Sequence, residues 1–181
     1  MGNSKATHFV GIDPSLSSTG LAVLTFHDGK IDQYTTTLKT PTNLRETARL
    51  CWIRGAFVQT LEANTYGLMS GVCYEKASLG SVGRQIDLAE LRGVLQVACV
   101  SFAMNPIGIE PARLKKFGAG QGGASKDKMI QRAKTSGWAV ANDDEADAAH
   151  LAFLAFAIKH HKTIRLTRKQ LEVLSDLGIT L

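Results

Sequence analysis

Asp13 and Glu75 each close an apolar run, His8–Asp13 (HFVGID) and Gly71–Glu75 (GVCYE). An unpaired carboxylate is costly to bury. Acids so placed either face solvent where a strand stops or share a site at the strand ends. A third acidic element, Asp143–Ala148 (DDEADA), runs directly into the apolar stretch Ala149–Ile158. On a helix Asp144 and Asp147, three apart, share a face, while Asp143 and Glu145 point elsewhere. Acids in a first helical turn also complement the helix dipole. That accounts for Asp143, Asp144 or Glu145, and less well for Asp147, which lies further in between alanines that leave room for an approaching group. Four carboxylates with few histidines and no cysteine partners suit a hard cation such as Mg²⁺ or Mn²⁺.

A basic segment precedes the last acids. Residues 113–134 carry seven Lys or Arg and one acid, Asp127, with Gly118, Gly120, Gly122 and Gly123 in the middle. Glycines let a backbone approach a phosphate, and lysines supply charge without reading base sequence. A solvated helix with a flexible loop is the alternative. The spacing of a nucleotide-binding P-loop is absent.

The elements that must position these residues follow from periodicity. His8–Asp13 and Gly20–Phe26 (GLAVLTF) read as strands, and His27-Asp28-Gly29 as a hairpin turn into a Thr-rich third strand, Lys30–Leu38. Asn43 with Glu46 reads as a capping box opening a helix to about Ala63, with Leu44, Ala48, Cys51, Gly55 and Val58 on its apolar face. Gly71–Glu75 is a fourth strand. Leu88, Leu91, Leu95, Ala98 and Phe102 recur at helical spacing. Ile107–Glu110 is a fifth strand cut off by Pro111, and residues 118–125 form a loop. Helices are expected at about 126–136 and 144–161, with Thr167 and Gln170 capping a short last one. The order β-β-β-α-β-α-β-α-α predicts a mixed α/β domain around one sheet. The expected division is one domain over residues 1–162 and an extension over 163–181.

The 181 residues, 44% hydrophobic and 20% charged, fit one globular domain. No apolar run reaches the ~18 residues that cross a bilayer, and Met1–His8 is polar, so a soluble, cytoplasmic protein is expected. The net charge of +5 is a weak bias towards polyanions. Cys51, Cys73 and Cys99 lie apart in apolar stretches and read as buried free thiols.

Taken together, the motifs resemble those of the RuvC-type Holliday-junction resolvases, nucleases of the ribonuclease H-like fold, from a phage or bacterium. GIDPSLSSTGLAV resembles the first motif, YEKASLGS the second and DEADAAHLA the fourth. Pro111–Met129 resembles the third, with lysines eleven apart at Lys115 and Lys126. The resemblance spans about residues 10–158. It implies a mixed five-stranded sheet flanked by helices. It also implies two Mg²⁺ ions, replaceable by Mn²⁺, held by Asp13, Glu75, Asp144 and Asp147, with Asp13 bridging. Lys126 would neutralise charge on the scissile phosphate, and Lys115, Lys116, Lys128 and Arg132 would follow the DNA backbone. The expected reaction is symmetric nicking of a four-way junction to 5′-phosphate and 3′-hydroxyl ends. Where the family often carries a bulky aromatic, three residues after the catalytic Glu, this sequence has Ser78, with Leu79 as a substitute wedge.

One set of acids per chain and a twofold substrate imply a homodimer. Trp52 and Phe57 are candidates for its interface or for the core. An actin-like ATPase would need a second related domain and a second phosphate loop. A non-catalytic DNA-binding module would lack an acid, and all four positions are filled. Related nucleases acting on flaps, branched DNA or RNA–DNA hybrids would share the same residues.

Overall fold

The computed structural model describes residues 5–76 and 82–181. Five strands form one sheet in the order β3-β2-β1-β4-β5: β1 (Thr7–Asp13), β2 (Ser18–His27), β3 (Lys30–Lys39), β4 (Leu68–Glu75) and β5 (Pro106–Ile109). β1, β2 and β3 are antiparallel neighbours, whereas β4 lies parallel to β1 and β5 parallel to β4. The sheet is therefore mixed, as the sequence predicts. The β2–β3 turn is two residues, Asp28 and Gly29, both at positive φ (50° and 76°). That backbone matches the strand twist, which is why Asp-Gly favours it.

Helices cover both faces. On one side lie α1 (Glu46–Asn64) and α2 (Val82–Ser101). On the other lie α3 (Pro111–Ala119), α4 (Lys126–Thr135), α5 (Asp143–His160) and α6 (Arg168–Asp176). Alternation along β1 sorts the two cores. Phe9 packs into the α5 side, and Val10 and Ile12 into the α1/α2 side. β4 alternates likewise, with Cys73 on the α5 side and Val72 opposite.

Several local expectations are corrected. No side chain caps α1: Arg45 is its N-cap, and Glu46 takes a positive φ of 44°, which breaks the reciprocal geometry expected of Asn43 and Glu46. The buried face of α1 is Ile53, Phe57 and Leu61, so Cys51 is exposed, while Cys73 and Cys99 are buried. Phe57 fills the core and Trp52 packs half-buried against it. Pro111 begins a helix instead of only ending a strand, since a first helical residue needs no N–H donor. Gly118 belongs to that helix, and a Cβ there would meet the His150 ring at 2.8 Å. Its glycine is a packing requirement, not a phosphate approach. Thr167 and Gln170 do form a capping box at the start of α6. Its Val173 and Leu174 are buried in the α5-side core, so part of 163–181 is integral to that layer. Ser78 and Leu79 lie outside the described residues. No helix is long and apolar enough to cross a membrane among the described residues.

Candidate metal centre

Strand alternation puts Asp13 on the same side as Phe9, and Glu75 on the same side as Cys73: both carboxylates project towards α5. Parallel pairing of Ile12 with Tyr74 brings the two acids to adjacent strand ends. The third contributor comes from α5, which lies directly on β1. A Cβ on Gly11 would sit 1.9 Å from the Ala148 carbonyl oxygen, and one on Gly20 2.1 Å from that of Asp144. The alanines around Asp147 serve the same approach. Ala146, Ala148 and Ala149 are fully buried against the sheet, so their small size seats the helix instead of leaving space beside the acid.

The outcome is a cluster of Asp13, Glu75 and Asp147, each with a carboxylate oxygen within 4.8 Å of the others. Asp144 lies beside it, its Oδ2 accepting a 2.5 Å hydrogen bond from the Ser18 hydroxyl. Burial and then the neighbouring Glu75 and Asp147 raise the Asp13 carboxyl well above its usual range. Burial and then Asp147 push Glu75 up to about 7, against the pull of Lys115. Burial and then Asp143 push Asp147 up to about 6. One oxygen of Asp147 is buried without a hydrogen-bond partner. Converging carboxylates that repel one another, one with an orphaned oxygen, fit a hard divalent cation.

Of the predicted cations, Lys115 stands close enough to Glu75 and Asp147 to lower both. Lys126, the first residue of α4, forms an ion pair with Asp143 at the rim of the cluster. Lys116 faces away, paired with Glu172 (3.2 Å) and Asp176 (3.6 Å) of α6. Lys128 reaches Gln121, and Arg132 is exposed further along α4.

Two groups of supporting residues escaped the sequence reading. Ser18 orients Asp144, and nothing in its type or spacing marks it. Glu145 is buried, accepting from the Thr37 hydroxyl (2.9 Å) and the Ala141 N–H (2.8 Å). Asn142 donates to Thr37 and accepts from the Glu145 N–H, capping α5. This network ties the start of α5 to β3 and so fixes where Asp144 and Asp147 stand. An acid beside two catalytic candidates gave the only hint of it.

The profile of the family described as crossover junction endodeoxyribonuclease RuvC matches residues 9–160. This chain belongs to that family. The RuvC of Rhodospirillum rubrum is 28% identical over 154 residues, covering 83% of this chain and 87% of its own. The fold is that of Thermus thermophilus RuvC, with a TM-score of 0.65 at 18% identity over 96% of this chain and 97% of the other. The same protein in complex with a Holliday junction substrate gives 0.68 at 20% identity, over 82% and 90%. The yeast mitochondrial resolvase Ydc2 gives 0.56 at 12% identity, over 93% and 79%. The RuvC match ends at the last residue of α5, so α6 lies beyond it.

Proposed function

We propose that the chain is a Mg²⁺-dependent endonuclease that resolves four-way DNA junctions by paired, symmetric nicks, in DNA recombination and repair. The observation that carries this is the convergence of Asp13, Glu75 and Asp147 from three elements within a RuvC-family chain. Asp13, Glu75 and Asp147, with Asp144 beside them, would hold the divalent cations. When bound, the ions would supply Lewis acidity for activating water and stabilising the leaving 3′ oxygen, and Mn²⁺ should substitute for Mg²⁺.

The chain's own residues do the rest. Ser18 and the Glu145 network hold Asp144 and Asp147 in place. Lys126 exchanges Asp143 for the scissile phosphate and compensates its growing charge. Lys115, Lys128 and Arg132 follow the flanking backbone, and Lys116 joins them only by releasing the carboxylates of α6. The products carry 5′-phosphate and 3′-hydroxyl ends. The working unit is a homodimer, one active site for each of two opposed strands.

Product chemistry and two variants test this reading. Wild-type protein should convert a mobile junction into nicked duplexes that ligase seals. Asp13→Asn should bind the junction without cutting it, while Asp143→Asn stays active. Mg²⁺-dependent nicking by Asp13→Asn, or ends that ligase cannot join, would refute the site.

A further inference from the structure

A cationic recess opens past the end of β1, on the α1/α2 side of the sheet. The loop that follows Asp13 contributes Ser15 and Ser17 to a cavity of about 570 Å³, and Thr40, Thr42, Arg45 and Arg49 line it too. Its charged groups are both arginines, which only donate. Arg45 gives N–H bonds to the Thr42 and Leu44 carbonyls, and Arg49 two to the Leu44 carbonyl at 3.3 and 3.2 Å. A guanidinium has five N–H donors, so each arginine keeps others for a ligand. Among the described residues neither arginine has a carboxylate within ion-pair distance. The Thr40 hydroxyl oxygen is buried with no hydrogen-bond partner. The uncapped start of the 19-residue helix α1 lies at Arg45 and adds the positive end of its dipole. Glu46, Asp87 and Glu90 line the adjoining groove, which shares Leu16, Arg45 and Arg49 with the recess, so an anion would sit on the side nearest the Asp13 loop.

We propose that this recess is a subsite for a phosphodiester of the DNA strand flanking the cut, gripped by Arg45 and Arg49 with the hydroxyls of Ser15, Ser17 and Thr42. The inference rests on the nuclease reading of the acid cluster. A strand whose scissile phosphate sits at Asp13 carries further phosphates on either side, and the loop leaving Asp13 forms one wall of the recess. Arginine suits the task because its fork matches two phosphate oxygens at once. The site would fix the path of the strand and thereby the register of the cut.

Junction binding in EDTA, followed by fluorescence anisotropy across a salt series, tests the subsite. Arg45→Gln and Arg49→Gln should each weaken binding about tenfold and flatten the slope of log K against log salt by about 0.9 per lost phosphate contact. Arg45→Lys should restore most of the slope. Both arginines also hold backbone carbonyls, so Thr42→Glu, a charge placed on an exposed residue of the recess, serves as the fold-neutral variant and should weaken binding at least as much. A single neutral methylphosphonate beside the cut should weaken binding by the wild type but not by Arg49→Gln. Unchanged affinity and slope in all three charge variants would overturn the subsite while leaving the nuclease reading intact. Competition by inorganic phosphate with no methylphosphonate effect would make it a free-anion site and defeat the DNA assignment. A wild type that binds no junction would overturn the nuclease reading itself, and the subsite with it.

Discussion

At the scale of single residues, the acid cluster holds mutual repulsion that a bound cation would relieve. The carboxyls of Asp13, Glu75 and Asp147 all have raised folded-state pKa values, the latter two to about 7 and about 6. The folded state therefore holds more protons than the unfolded chain between about pH 4 and 7. The stability this confers is fully present below the unfolded values and is lost as pH rises through about 6–7. Without divalent ions the Tm should fall from pH 5 to pH 8. Mg²⁺ should raise it at pH 8 far more than at pH 5, by roughly 2–4 °C per kcal/mol recovered. Asp13→Asn should flatten both effects, as differential scanning calorimetry would reveal; a pH-independent Tm would contradict the clustering. Lys126→Ala should slow single-turnover cleavage at saturating enzyme, with an upper range of about 2.7–4 kcal/mol for losing one transition-state donor, and change affinity little. A purely binding defect would remove Lys126 from the chemistry.

At the scale of elements, α5 is the part whose placement decides whether a site exists. It lies so close to β1 and β2 that Gly11 and Gly20 admit no Cβ. Gly20→Ala would push against the Asp144 carbonyl and shift the start of the helix. Because small misplacements at a reacting centre cost on the order of 100-fold in rate, cleavage should fall by about that much while junction affinity holds. Near-wild-type cleavage would show that α5 is not positioned by this contact. Much of this was readable beforehand. Two acids ending two apolar runs, and two more at i and i+3, announced both the strand ends and the helix that meet there. Other features left no local mark. Ser18 becomes a partner of Asp144 only through the packing of the start of α5 on β2. Pro111 reads equally as a stop or a start. The apolar face of α1 was misplaced because Ala48, Cys51 and Gly55 are small enough to sit in water, while Ile53, Phe57 and Leu61 carry the burial.

At the scale of the whole molecule, the two faces of the sheet differ in purpose. One carries the acids, α3, α4 and the basic residues of segment 113–134. The other presents α2, whose Val97 and Val100 are 68% and 63% exposed, with Ile86 on the same helical face. The proposed homodimer should bury this exposed apolar stripe. Sedimentation should give a mass near twice 19.5 kDa, and Val97→Glu should return it to 19.5 kDa. A wild-type monomer on junction DNA would favour a nuclease that cuts flaps or hybrids one strand at a time.

The central claim, that this acid cluster cuts four-way junctions, is met most directly by single-turnover cleavage of a mobile junction beside duplex, flap and RNA–DNA hybrid, with and without Mg²⁺. The account predicts paired incisions in the junction, dependent on Mg²⁺ and on Asp13, with little cutting of the other three substrates. Equal or greater cleavage of flap or hybrid, or junction cleavage that persists in EDTA, would contradict it.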